Sequence, residues 1–240
     1  MALAGVTDQI VYLDEGDLVD VQLGRYWTYD RAGKPAQRPV KTVHAHSGAA
    51  ELGPYRHYMQ KEIFEQPFAV SSALEGRCLE RTIPDAIFGE KAQEVFDKTK
   101  AVYIVACGTS YHAGLVGKYW LESLAGIPTQ VEIASEFRYR RPVLLPGTLL
   151  VLISQSGETA DSLAALQGVD RANLAGTLSI CNVPESSIVL QTDCALLTHA
   201  GPEIGVASTK AFTTQLTALL LLVASLGNRF GMNAELVHEL

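Results

Sequence analysis

The run Ser154-Gln155-Ser156-Gly157-Glu158-Thr159 gathers three hydroxyls and a carboxamide around a glycine. Such a set suits a bound phosphate, because glycine lets the backbone come close and a helix starting beside it offers unpaired N–H groups and about half a positive charge. An anion can be held in this way without a basic side chain. Cys107-Gly108-Thr109-Ser110 has the same character, and a third polar run, Ala200 to Lys210 (AGPEIGVASTK), is glycine-rich. A plainer alternative is that Ser156 and Thr159 only cap a helix. A second hydroxyl-rich run at the same sheet edge weighs against it.

Other chemistries have weaker support. No GxGxxG follows the first strand of the regular α/β part and no GxxxxGK[ST] occurs, so dinucleotide and Walker-type nucleotide binding lack their motifs. His44 and His46 form an HxH without a third ligand nearby and read as solvated, so neither a metal nor another cofactor is expected. Cys78, Cys107, Cys181 and Cys194 form no CxxC pair, which points to reduced thiols in a cytoplasmic protein. Cys107 has no basic partner placed by sequence and reads as a small buried residue rather than a nucleophile. Lys210 opens a helix where a Schiff base is conceivable, yet a solvated or capping lysine is the simpler reading. With 19 Lys+Arg against 26 Asp+Glu the net charge is −7, which argues against nucleic acid as a partner.

These residues need a frame. AVYIVA (101–106), TQVEI (129–133), TLLVLI (148–153), TLSIC (177–181) and DCALLT (193–198) are short apolar runs alternating with helical stretches. That pattern predicts a five-stranded parallel, doubly wound α/β sheet covered on both faces. If the strand order is the flavodoxin-like 2-1-3-4-5, strands one and three flank the switch point, and their two hydroxyl-rich loops face one crevice. Leu216 to Leu226 is about half the roughly 20 residues a membrane crossing needs and reads as a buried helix, so no membrane contact is expected. Upstream, Tyr55–Glu65 and Phe68–Glu75 are helical in pattern, with a break expected at Pro67. Residues 1–43 are β-rich, with QIVYL (9–13) and LVDVQL (18–23) reading as one hairpin across Asp14–Asp17 and YWTYD with QRPVKTV as a second. HAHSGAAELGP (44–54) reads as a linker.

The runs CGTSYHAGLVGKYWLESLAGIP, VEIASEFRYR, SQSGETADSLAAL, ICNVPESS and EIGVASTKAFTTQL together resemble the first sugar isomerase (SIS) domain of the glutamine:fructose-6-phosphate aminotransferases. YRHYMQKEIFEQP (55–67) is similar to the segment after that family's interdomain linker. The resemblance implies a glutaminase-domain tail over 1–43, a linker over 44–54 and an SIS domain with its N-terminal helices over 55–240. It implies an enzyme forming glucosamine 6-phosphate and glutamate from fructose 6-phosphate and glutamine, paired as a homodimer through SIS domains. Thr109, Ser110, Ser154, Gln155, Ser156 and Thr159 fall where the family holds the sugar phosphate, and Val206 and Ser208 where it lines the sugar. The family's glutaminase cysteine and its catalytic glutamate, histidine and lysine have no counterpart here, and Glu203, His199 and Lys210 do not match them. No catalytic residue is therefore assigned, and the chain is expected to bind a hexose phosphate without catalysing alone. The rivals, a sugar-phosphate-sensing regulator and a stand-alone phosphosugar isomerase, would call for a basic helix-turn-helix and for a base within the chain, respectively.

Overall fold

The structure is a computed structural model that describes residues 9–42, 51–78 and 83–232. The chain forms two units, Met1–Glu51 and Leu52–Leu240. His44 and His46 and most of the expected linker, 44–54, lie outside the described residues.

The first unit holds β1 (Gln9–Val11), β2 (Leu18–Gln22), β3 (Arg25–Tyr29), β4 (Pro35–Ala36) and β5 (Val40–Thr42). The expected pairing of 9–13 with 18–23 does not occur. Instead β2 runs antiparallel to β3 with Gln22 opposite Arg25, and β1 pairs with β5, Gln9 opposite Thr42. The reason is local. Asp14–Asp17 closes on itself, Asp17 N–H donating to the Asp14 carbonyl at 3.0 Å, and Arg38 grips Asp17 in a two-pronged contact at 2.7 and 2.8 Å. Leu23 and Gly24 alone connect β2 to β3, Gly24 taking the positive φ that so tight a turn requires. The Arg31–Lys34 turn joins β3 to β4, but the partner is Pro35–Ala36 and not the expected 37–43, whose Val40–Thr42 pairs with β1; the Asp30 carboxylate accepts the Ala32 and Lys34 N–H groups at 2.9 Å. Among the described residues of this unit only Thr28 is buried, so it encloses no apolar core of its own.

The second unit begins with α1 (Tyr58–Leu74), a 3₁₀ turn (Asp85–Phe88) and α2 (Ala92–Lys98). Five strands alternate with helices beyond them: β6 (Ala101–Ala106), α3 (Gly108–Ser123), β7 (Thr129–Ile133), α4 (Ala134–Phe137), β8 (Thr148–Ser154), α5 (Ala160–Gly168), β9 (Leu174–Cys181), α6 (Ser187–Gln191), β10 (Cys194–Leu197) and α7 (Lys210–Gly227). All strand pairs are parallel and the order is β10-β9-β8-β6-β7, which is the 2-1-3-4-5 order expected. Alternation along the strands divides the core. Val102, Ile104, Leu149, Val151 and Ile153 pack with α2, α3 and α7, while Val105, Leu150 and Leu152 pack with α4, α5 and α6. Each such fully buried aliphatic side chain stabilises the fold by roughly 1.5–3 kcal/mol. The apolar α7 is mostly enclosed in this core, as the buried-helix reading of 216–226 anticipates.

The break expected at Pro67 is absent, and α1 is continuous through it. Proline removes the N–H that would bond the Ile63 carbonyl, and the Gln66 side chain supplies the replacement, its Nε2 donating to that carbonyl at 3.2 Å. Ser71 Oγ donates to the Pro67 carbonyl at 3.1 Å one turn later.

Candidate functional site

β6 and β8 are neighbours, yet α3 leaves β6 toward one face of the sheet and α5 leaves β8 toward the other. Diverging connections of this kind open a crevice beyond the strands' carboxyl ends. Cys107–Ser110 and Ser154–Thr159 are the loops at that point.

The β8–α5 loop is built from its own side chains. Ser154, 3% exposed, ends β8 and its hydroxyl accepts the Gly157 N–H at 3.0 Å while sharing a hydrogen bond with Thr159 Oγ1 at 3.1 Å. Ser156 Oγ accepts the Glu158 N–H at 3.2 Å. A hydroxyl has one proton to give, and none of these bonds uses that of Ser156. Gly157 sits at φ +69°, and a Cβ there would overlap the Ser186 side chain and stand 2.8 Å from Cys181 Sγ. The loop is therefore pressed onto the β9–α6 connection, where Ile188 N–H reaches the Gly157 carbonyl at 3.1 Å and Ser187 N–H the Glu158 carboxylate at 2.7 Å. Burial pushes the Cys181 thiol pKa up, keeping it neutral beneath the loop.

Thr159 is the residue before α5, yet its side chain makes no capping bond and turns to Ser154 instead. Capping alone thus does not account for its hydroxyl. α3 likewise starts at Cys107 without a side-chain cap. Both helices present their first N–H groups at the crevice edge, as helix starts do. Thr109 is exposed and Ser110 buried at the start of α3, while Gln155, Ser156 and Thr159 are half-buried. Cys107 packs part-buried against the Val105 side of the core, in keeping with a small apolar role.

The β10–α7 loop is different. Val206 is fully exposed, and Ser208 Oγ donates to Glu203 at 3.0 Å. Glu203 also accepts the Thr209 and Ala211 N–H groups at 2.8 and 3.1 Å, capping α7. Asn182 fastens the start of the loop, its Oδ1 accepting the Ala200 N–H at 2.8 Å and its Nδ2 donating to the Gly201 carbonyl at 2.7 Å. Lys210 is neither solvated nor a cap: it is 5% exposed and pairs with Glu65 of α1 at 2.7 Å. Apolar neighbours in sequence leave its aliphatic stem a place in the core, while α1 supplies the carboxylate. The contribution of α1 to this loop is the feature that sequence reading missed. Glu62, Gln66, Ala69 and Ala73 follow i, i+4, i+7, i+11 spacing, so the small alanines mark a packed stripe on which Glu62 also lies.

A cavity of about 310 Å³ lined by Lys91, Arg171, Thr177 and Asp193 opens where β9 starts, at the opposite end of the strands from these loops. Sheet topology therefore favours the crevice over that cavity as the site.

Residues 96–225 match the family model described as the SIS domain. The chain belongs to the SIS domain family. The chain is 57% identical over 98% of its length to the glutamine–fructose-6-phosphate aminotransferase (isomerizing) of Bordetella pertussis, and 54% identical over 100% of its length to that of Pseudomonas putida. The chain spans only 38% and 40% of the length of these relatives. Among solved structures, the C-terminal domain of glucosamine-fructose-6-phosphate aminotransferase from Francisella tularensis superposes with a TM-score of 0.76 at 49% identity, covering 79% of this chain and 55% of that one.

Proposed function

We propose that this chain is the sugar-phosphate-binding SIS portion of a glutamine:fructose-6-phosphate aminotransferase, the enzyme that converts fructose 6-phosphate and glutamine to glucosamine 6-phosphate and glutamate. The observation that carries the reading is the β8–α5 loop at the switch point, where the loop's own bonds leave the Ser156 hydroxyl proton free to be donated beside a helix start without a side-chain cap. In this reading Thr109, Ser110, Ser154, Gln155, Ser156 and Thr159 hold the phosphate, which fixes the hexose so that its C1–C2 end points away from the loop toward the chemistry. Charge-assisted bonds from hydroxyls and N–H groups suit a phosphate dianion in a chain of net charge −7, since no basic side chain is needed. Ser154 and Thr159 contribute by shaping the loop as much as by contact. Val206 and Ser208 line the sugar. Residues 1–43 are the tail of a glutaminase domain, 44–54 the linker and 55–240 the SIS domain, in a cytoplasmic homodimer paired through SIS domains.

The test is a calorimetric titration of the 240-residue chain with glucosamine 6-phosphate, using unphosphorylated glucosamine as the control. Saturable binding that requires the phosphate is the expected result. A folded chain that binds neither compound overturns the reading.

A further inference from the structure

The β10–α7 loop has no regular structure over residues 200–209, yet carboxylates hold it at several points. Glu62, 2% exposed in the middle of α1, turns its carboxylate onto two successive backbone groups of this loop. Its Oε1 accepts the N–H of Ile204 at 2.5 Å and of Gly205 at 2.9 Å, with Oε2 3.3 Å from the latter. Further along the same helix, Glu65 takes the Lys210 ammonium at 2.7 Å and Gln66 Oε1 accepts Thr213 Oγ1 at 2.5 Å. Positions i, i+3 and i+4 share one helix face, so this face of α1 is a polar template for the loop and the start of α7. The fit is close: a Cβ on Gly205 would stand 2.5 Å from Glu62 Oε2 and 3.5 Å from Met59 Cα. One residue on, the Val206 side chain points fully into solvent.

A buried carboxylate is costly unless its hydrogen bonds offset the lost hydration. Here the bonds that offset it go to the backbone of a single loop, so what Glu62 specifies is that loop's conformation. We propose that Glu62 is a positioning residue for sugar recognition: it holds Glu203–Ser208 in the shape that presents Val206 and Ser208 to a hexose, while the β8–α5 loop independently holds the phosphate. This rests on the sugar-phosphate reading given above.

Two ligands separate the two loops. Inorganic phosphate reports on the β8–α5 loop alone, and the preference for glucosamine 6-phosphate over inorganic phosphate reports on the sugar side. The 240-residue chain, Glu62→Leu and Glu62→Gln are titrated with both. Glu62→Leu loses both accepted bonds, whereas Glu62→Gln keeps a carbonyl oxygen that can accept the two shorter ones. The expected result is that inorganic phosphate affinity stays within about twofold in all three, while glucosamine 6-phosphate affinity falls about tenfold in Glu62→Leu, which loses both accepted bonds, and is largely restored in Glu62→Gln, which keeps an acceptor for them. A preference unchanged in Glu62→Leu overturns the proposal, as does a parallel loss of both ligands, the mark of a general structural role. Amide hydrogen exchange on the wild-type chain decides the matter if Glu62→Leu does not fold. Ile204 and Gly205 N–H groups exchanging as fast as that of Val206 overturn the proposal, and their slow exchange, retained in Glu62→Gln together with the preference for glucosamine 6-phosphate, supports it. A wild-type chain that binds neither ligand defeats the underlying reading and this proposal with it, an outcome distinct from an unaltered preference in the variants.

Discussion

Replacing Gly157 with alanine combines two penalties that the structure allows to be separated. The residue sits at φ +69°, where an L-residue costs about 1–2 kcal/mol. Its new methyl would also overlap Ser186 and approach Cys181 Sγ at 2.8 Å, in a site where both neighbours are buried. Overpacking of that kind costs about 1–3 kcal/mol, so Gly157→Ala is expected to destabilise the second unit by about 2–5 kcal/mol. Gly126 is the control: its φ is +68°, nothing lies within 4 Å of a built Cβ, and its replacement by alanine costs the strain alone, about 1–2 kcal/mol. Urea unfolding followed by Trp120 fluorescence in a Trp27→Phe background reads the second unit, since these are the chain's two tryptophans. Sugar-phosphate affinity of Gly157→Ala should fall at the same time, because the turn that aims Ser156 is lost. Equal costs for the two alanine variants, with binding intact, would refute the packing of this loop against Ser186.

Other expectations follow from single contacts. Ser156→Ala removes an uncommitted donor and should weaken glucosamine 6-phosphate binding by about 1 kcal/mol or more, measured by calorimetry, with little change in thermal stability. Tyr103 donates to Glu132 at 2.5 Å, and burial, followed by this bond, pushes its pKa up to about 12. The unfolded phenol ionises near 10, so between these values the folded state holds a proton that the unfolded state has lost. The stability contributed is full below about pH 10 and disappears as pH rises through about 12. Tyr103→Phe should flatten that stretch of the stability curve, and one tyrosine of the native chain should titrate near 12 by ultraviolet absorbance. Lys210→Met removes the nearer of the two ammonium groups beside Glu65, leaving Lys61 at 3.6 Å. Because Glu65 is 32% exposed, the cost is expected at about 1–3 kcal/mol, below that of a fully buried pair, and adding Glu65→Gln should recover part of it.

The parallel sheet was legible because strands buried on both faces read as nearly continuous apolar runs, and β8, buried throughout with Leu149–Ile153 at its centre, is the clearest instance. The phosphate-binding candidates were legible for a related reason: glycine and hydroxyls between a strand and a helix are local in sequence. What escaped depends on partners distant in the chain. Nothing near Gln9 reveals that β1 pairs with Val40–Thr42, since register there is set by the closure of Asp14–Asp17 and the grip of Arg38. Pro67 signals a helix break by itself, whereas in the structure the Gln66 side chain bonds the carbonyl that Pro67 leaves without a partner. Lys210 and Glu62 are charged residues that sequence assigns to solvent. Each is buried because α1 and the β10–α7 region meet across more than 140 positions of chain.

The most direct test of the switch-point site is a two-dimensional ¹⁵N–¹H spectrum of the labelled 240-residue chain, recorded as glucosamine 6-phosphate is added. Shifts should concentrate at Gly108–Ser110 and from Gln155 into the first turn of α5, with smaller ones at residues 204–208. Shifts centred instead on Lys91, Arg171, Thr177 and Asp193, at the opposite end of the strands, would contradict it.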